Sequence, residues 1–506
     1  MSSNLENLGH AFTLVEQGEL GQADALCAEI CRSDPAIHTA HYLRGLIAFQ
    51  RGQTEQSIDH LKVAESLAPD DGSLKKTFAF ILLAFGDHAG AAEKFAFVIS
   101  KNPEILTASD TLSLAQLGEG LRQAGRLGAA IDFFAQSVRL QPEHNPATTG
   151  LFLCGQLACD WRDLERLEEG VEAQTQSSFE AGHCPVEDPF VHITRCMDSK
   201  ANMEVARAWS EPLSKAASKA AATAYVDSVP SFPTRAESQP IRLGYLSSDL
   251  HEHATAYLMH RLFKMHDRKF FEVVAYSCSP GDGSAIRKKL ESDCDSFRDI
   301  NGWDADRAAA LITADGIQIL IDLKGHTRKN RLDIAARRPA PLQVTYLGFP
   351  GTSGARFFDY VIADPVVLPE TDWPHYTECP FLMPHCYQIN SHENAGEPLS
   401  RVAAGLPADG FVFCSFTNTY KIEPVMFERW MNILKAVPNS VLWLCPNSRL
   451  AAKNLQKEAV ARGVAAERLI IAPFVDQNKH MGRLALADLA LDTRVYNGHT
   501  TTSDAL

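Results

Sequence analysis

Two rhythms of apolar and polar positions divide the chain. Beyond residue 240, short apolar runs recur at Ile241–Leu246, Phe271–Tyr276, Ser296–Asp299, Ile317–Leu323, Leu342–Leu347 and Tyr360–Ala363. Between them, Ala254–Met265, Ala285–Ser292 and Asp304–Ala314 read as helices. A second series starts at Gly410: strands Phe411–Phe416, Ser440–Leu444, Leu469–Ala472 and Leu489–Asp492, separated by helices Glu423–Ala436, Ala451–Arg462 and Gln477–Leu486. Strand–helix alternation predicts parallel, doubly wound sheets that take ligands at the carboxyl ends of their strands. Two Rossmann-like blocks follow, 240–407 and 408–506, joined through His385–Pro407, with a cleft between them. The sequence stops at the first turns of a predicted helix, which would leave a parallel sheet with an apolar edge and an uncovered face. The expectation is therefore that the second block is incomplete, truncated at its C-terminus.

Residues 1–149 carry a different period. Pro35, Pro69 and Pro103 are 34 apart, as are Gly18, Gly52 and Gly86; Gly125 and Pro142 each follow 39 later. Small residues occupy two further columns, Ala11, Gly45, Ala79 and Gly118, and Ala23, Ser57, Ala91 and Ala130. Small side chains let antiparallel helices approach closely, the glycine ends the first helix of each pair and the proline closes the second. The columns resemble the tetratricopeptide repeat, and hence an α-solenoid. The five extra residues of the fourth unit should lengthen the turn around Ser109–Thr111. Residues 150–228 stay helical without the register, with irregular helices at Ala158–Leu167 and Asp188–Trp209, and read as a connector. Residues 229–239, rich in Pro and Ser, read as a linker.

Composition narrows the function. The 506 residues carry a formal net charge of −14, which argues against a nucleic-acid partner. No apolar run approaches membrane-spanning length, and the N-terminus lacks the basic and apolar regions of a signal peptide. Twelve scattered cysteines contain no CxxC. Cys27 and Cys31 read as buried small residues rather than half a metal site. Free thiols in a reducing cytoplasm are expected.

The chemistry lies in an ordered set of motifs: Leu246-Ser-Ser-Asp249 with His253, Asp322-Leu-Lys-Gly-His-Thr327, Arg338-Pro-Ala-Pro-Leu-Gln343, Leu347-Gly-Phe-Pro-Gly-Thr-Ser-Gly354, Tyr420-Lys-Ile422, Val437-Pro-Asn-Ser-Val-Leu-Trp443 and Asn497-Gly-His-Thr-Thr501. Over roughly residues 155–506, behind a repeat arm, this order resembles the protein O-GlcNAc transferase (SPINDLY-like) family of bacterial type. The resemblance implies a GT-B arrangement of the two Rossmann-like blocks. It also implies inverting transfer of N-acetylglucosamine from UDP-GlcNAc to Ser or Thr hydroxyls of proteins.

Lys421 follows the strand Phe411–Phe416, where a point charge would stabilise a leaving diphosphate. Its position at a helix start, the wrong end for a cation, is explained by a nearby anion. By resemblance His499, Thr500 and Thr501 contact the diphosphate, Asp504 accepts from the ribose, and His480 and Arg483 line the uridine and phosphate site. Two positions depart from the family: Gln477 replaces a lysine and Asn418, near the phosphates, replaces a glutamine. On the acceptor side, His253 matches the family's active-site histidine, a general base or a positioning group. His251 beside it reads as a solvated neighbour. Gly348, Pro350, Gly351 and Gly354 would bring backbone close to a sugar, with Thr352 bonding a hydroxyl. His326, Thr327 and Arg331 are further candidates for the same cleft.

No Asp-x-Asp clamp stands in a suitable loop, so neither metal nor cofactor is expected, Lys421 and the helix start supplying the charge. The repeat arm offers a concave face for protein or peptide acceptors. The asparagine ladder of animal relatives is replaced by Gly9, Leu43, Thr77 and Gln116, however, so a docking or oligomerisation surface is equally open. Two alternatives remain: a GDP-fucose donor, which Gln477 keeps open, and a non-catalytic repeat scaffold.

Overall fold

The computed structural model describes residues 2–143, 145–223, 239–391 and 396–506. The protein forms two compact units, Met1–Gly155 and Gln156–Leu506. No helix among the described residues is long and apolar enough to cross a membrane.

The first unit is an array of antiparallel helix pairs: Ser2–Glu16 with Leu20–Ser33, His38–Gln50 with Thr54–Leu67, Gly72–Ala84 with His88–Lys101, and Thr111–Gln123 with Leu127–Leu140. Gly18, Gly52, Gly86 and Gly125 all take positive φ, between 72° and 81°, the left-handed turn that closes the first helix of each pair. Ala11, Ala79, Ala23, Ser57, Ala91 and Ala130 are fully buried between helices. At Gly45 a Cβ would stand 2.7 Å from Leu61 Cγ, and at Gly118 it would stand 2.9 Å from the Phe134 ring. Gly45→Ala should therefore overpack the second pair and cost about 1–3 kcal/mol, read as a lower midpoint for this unit in thermal or denaturant unfolding. The lengthened turn holds two 3₁₀ turns, Pro103–Ile105 and Ala108–Asp110, the second held by the Thr107 amide donating to Asp110 Oδ2 at 2.7 Å.

In the second unit, seven parallel strands form one sheet: β1 (Ile241–Ser247), β2 (Phe271–Ser277), β3 (Ser296–Asp299), β4 (Ile319–Asp322), β5 (Leu342–Thr345), β6 (Tyr360–Ala363) and β7 (Cys379–Leu382), ordered 3-2-1-4-5-6-7. A second parallel sheet has the order β10-β9-β8-β11: β8 (Phe411–Ser415), β9 (Ser440–Leu444), β10 (Leu469–Ile471) and β11 (Leu489–Ala490). Apolar side chains on both faces of β1, β2 and β4 make two cores, around Phe263 and Leu290 on one side and Ile312 and Ile334 on the other. Trp430, Phe427 and Leu455 pack one face of the second sheet.

Four expectations change. β7 is not foreseen by the apolar pattern, because Pro380 interrupts its short run; at the sheet edge the missing N–H costs nothing. The expected helix Ala254–Met265 is two, Ala254–Met259 and Leu262–Met265. The Ser391 hydroxyl enters the break, donating to Leu258 O at 2.6 Å and accepting from the Arg261 amide at 3.3 Å. The connector segment Ala158–Leu167 is not a helix. The helix Ala147–Ala158 stops at Cys159 (φ +48°), and Cys159 and Trp161 join the core of the second sheet before the next helix, Leu164–Glu180. Asp188–Trp209 is likewise split into Pro189–Arg195 and Ser199–Thr223. The linker expected at 229–239 lies, except for Gln239, outside the described residues.

Candidate active site

The loop after β8 makes the 3₁₀ turn Thr419–Lys421, pinned where Thr419 Oγ1 donates to Leu157 O at 2.8 Å. That anchorage buries Lys421, which is 9% exposed. Its Nζ donates to Asn497 O at 2.9 Å and stands 4.4 Å from the centre of the Tyr496 ring. Phe190, Tyr420 and Tyr496 form the surrounding aromatic wall. No carboxylate reaches ion-pair distance of Lys421 among the described residues, and burial pulls its pKa down to about 8 against a weaker opposing pull from Asp492. A buried ammonium held without a counter-charge is costly, and an arriving anion would relieve that cost.

Asp492 instead folds the turn that carries His499. It accepts from the Gly498 amide at 2.6 Å, the Thr493 amide at 2.8 Å and Thr502 Oγ1 at 3.0 Å. His499 leads into the helix Thr500–Ala505. Burial and the Lys421 charge hold its imidazole neutral, with a pKa of about 4. The Thr501 hydroxyl and Asn418 Oδ1 are buried without hydrogen-bond partners among the described residues.

The side chains expected around a nucleoside form a second cluster. Arg483 donates to His480 Nδ1 from Nε (3.1 Å) and Nη2 (2.9 Å), and to Pro473 O at 2.7 Å, while lying over Phe416. These bonds place the His480 proton on Nε2, which stands 3.8 Å from Asp504 Oδ2; Gln477 Nε2 reaches the same oxygen at 3.5 Å. Burial first and Arg483 second lower the His480 pKa to about 4. The Arg483 guanidinium is thus spent on aiming His480 and closing the loop at Pro473.

On the first sheet, His253 caps the helix Ala254–Met259, its Nδ1 accepting from the Thr255 amide at 3.2 Å. The neutral ring then carries its proton on Nε2, which suits it to donate to a ligand oxygen. Burial lowers its pKa, opposed by Asp249. Asp249, whose Oδ2 is 3.4 Å from that Nδ1, is held by Lys324 Nζ at 2.7 and 2.8 Å. This buried pair joins the ends of β1 and β4. Both residues lie in the motifs quoted above, and an acid and a base ending adjacent parallel strands was the signal available for pairing them.

The loop after β5 differs from expectation in what its small residues touch. A Cβ at Gly348 would stand 2.0 Å from Leu323 O, and at Gly354 (φ +65°) 2.2 Å from the Arg207 amide. The close approach is between segments of the protein itself. The Thr352 hydroxyl is buried, donating to Glu378 Oε2 at 2.6 Å and accepting from the Gly354 and Thr377 amides. His326 Nε2 donates to Ser353 O at 2.7 Å, and burial lowers its pKa to about 4. Thr327 bonds Lys324 O, and Arg331 bonds Asp333 and Trp303 O. Thr352 and His326 build this loop, and Thr327 and Arg331 brace the segment after β4. His251 is partly exposed, 3.9 Å from Asp282.

A cavity of about 650 Å³ opens between the two sheets. Leu347, Phe349, Pro350 and Gly351 line it from the first, Asn497, Gly498 and His499 from the second, and Tyr387 from the joining segment. Pro350 and His499 are therefore brought together. Lys421 sits behind Asn497, and the helices following His253 and His499 pack on each other. One acidic group among the described residues has metal-like spacing, Glu172, Glu187 and His192. Arg195 already fills it, 2.6 Å from Glu187 and 2.8 Å from Glu172.

The tetratricopeptide repeat profile matches residues 8–72. A probable UDP-N-acetylglucosamine–peptide N-acetylglucosaminyltransferase, SEC, of Arabidopsis thaliana is 34% identical over 360 residues, covering 69% of this chain and 37% of that protein. The Arabidopsis thaliana SPINDLY protein, named as a probable enzyme of the same kind, is 33% identical over 279 residues, 53% of this chain and 30% of its own. The sequence thus spans about a third of the length of these curated relatives. A solved O-GlcNAc transferase mutant from Thermobaculum terrenum shares the fold, with a TM-score of 0.54 at 24% identity over 100% of this chain and 80% of that one. The profile of glycosyl transferase family 41 matches residues 158–403 and 397–506, and the chain belongs to that family.

Proposed function

We propose that this protein binds UDP-GlcNAc and transfers N-acetylglucosamine to Ser or Thr hydroxyls of proteins, inverting the anomeric carbon without a metal. The observation that carries the reading is Lys421, a buried cation with no carboxylate beside it among the described residues, next to a neutral His499 at the wall of the cavity. In our reading the acceptor oxygen attacks the anomeric carbon while the bond to the diphosphate breaks, and the hydroxyl proton is released to water. The electron pair leaves on the diphosphate, whose charge Lys421 and the donors at His499, Thr500 and Thr501 stabilise. His480 and Asp504 would hold the nucleoside, and the backbone at Pro350 and Gly351 would face the sugar. We read His253 as a hydrogen-bond donor to a ligand oxygen rather than as the base, because its Nδ1 is engaged.

The matched relatives carry UDP-N-acetylglucosamine in their names, which does not favour a GDP-fucose donor. The repeat unit would present protein acceptors, and we place the activity in the cytoplasm on the sequence grounds above. Calorimetric titration with UDP and GDP, followed by mass spectrometry of an acceptor protein incubated with each nucleotide sugar, tests the proposal. UDP binding and a mass gain of one N-acetylhexosamine are expected. Binding of neither nucleotide and no mass gain would overturn the reading in favour of a scaffold.

A further inference from the structure

Tyr387 lies on the segment joining the two sheets, and its hydroxyl is 2.7 Å from His499 Nε2. The two rings lie end to end and nearly coplanar, with an interplanar angle of 14° and centroids 6.0 Å apart. The Tyr387 backbone is fixed on both sides: its amide donates to Asp364 Oδ2 at 2.8 Å, and its carbonyl accepts from the Tyr346 hydroxyl at 2.8 Å. Asp364 is itself buried at the end of β6, its other oxygen accepting from the Val366 and Val367 amides. A joining segment anchored to the first sheet at Asp364 and Tyr346 therefore aims one phenol at one imidazole nitrogen beyond the second.

We infer that Tyr387 is a positioning residue that sets the tautomer of His499, its O–H donating to Nε2 so that the ring's single proton resides on Nδ1. The phenol has no other acceptor among the described residues, so this direction alone gives its proton a protein partner. Nδ1 takes no partner among the described residues, and His499 lines the cavity. The tautomer decides the sign of what the ring offers there. With the proton on Nδ1, that atom is a donor toward an anion; with the proton on Nε2, it would present a lone pair and repel one. The consequence for a diphosphate rests on the proposed donor reading; the tautomer itself does not.

The test uses the whole protein labelled with ¹⁵N-histidine, the His499 signals being assigned by their loss in His499→Gln. The ring-nitrogen shifts are expected to show the Nδ1–H tautomer in the wild type and a shift of population toward Nε2–H in Tyr387→Phe, which keeps the ring and removes only the hydroxyl. UDP affinity should fall roughly tenfold in Tyr387→Phe, the ratio expected for one lost charge-assisted hydrogen bond. An Nε2–H tautomer in the wild type, or a tautomer unchanged in Tyr387→Phe, would overturn the inference. If the tautomer shifts as expected while UDP binds neither form, Tyr387 keeps its role and the donor reading falls.

Discussion

Lys421→Met is expected to lower glycosyl transfer by about a hundredfold to a thousandfold while raising the thermal midpoint. The rate loss is what removal of one preorganised charge from a developing oxyanion gives. The gain in stability follows from burial. Folding pulls the Lys421 pKa from 10.5 down to about 8, so below pH 8 the folded state carries a charge that burial disfavours. Between about pH 8 and 10.5 the unfolded state binds more protons than the folded one, and this residue's contribution to stability rises with pH across that window. At neutral pH its cost is about 3 kcal/mol, which methionine, apolar and of similar length, does not incur. UDP affinity of the unaltered protein should correspondingly decline above pH 8, by up to about tenfold per pH unit. Calorimetry at pH 7, 8 and 9 with both proteins checks this; an affinity of the unaltered protein that does not change with pH, or that declines equally in both proteins, would contradict it.

Gly482→Ala is the second large effect. The helix Gln477–Leu484 carries His480 and Arg483, and it packs directly on the backbone of residues 396–397. A Cβ at Gly482 would stand 1.8 Å from Glu397 O, and one at Gly396 would stand 2.2 Å from the Gly482 amide. Neither neighbour is the end of a flexible side chain, so the helix must move. A shift of that size breaks the bonds from Arg483 to His480 and to Pro473 O. UDP affinity should fall more than tenfold, together with about 1–3 kcal/mol of stability from overpacking. The control is Gly128→Ala in the repeat unit, where a Cβ meets nothing within 4 Å. It should match or slightly exceed wild-type stability, since alanine is the better helix former. Equal affinity in the Gly482→Ala protein, measured by the same titration, would remove the helix from the proposed nucleoside site.

Local rules carried much of this protein into its sequence. The glycine and small-residue columns named the helix pairs because a left-handed turn and a close helix crossing each restrict one position to a few residue types. The apolar runs named most of the parallel strands because a strand covered on both faces tolerates little else. Lys421 was legible for a similar reason, a cation at the wrong end of a helix.

What only the tertiary structure decided depends on partners distant in sequence. Glu378 takes up the Thr352 hydroxyl 26 residues before it, and Leu323 O occupies the space that Gly348 leaves open. Ser391 splits a helix more than 120 residues upstream. Tyr387 meets His499 across 112 positions, with no motif around it to announce the contact. Such roles are set by which groups converge after packing. A hydroxyl or a glycine reads the same in sequence whether its neighbour is a ligand or another part of the protein, and only the packed backbone tells which.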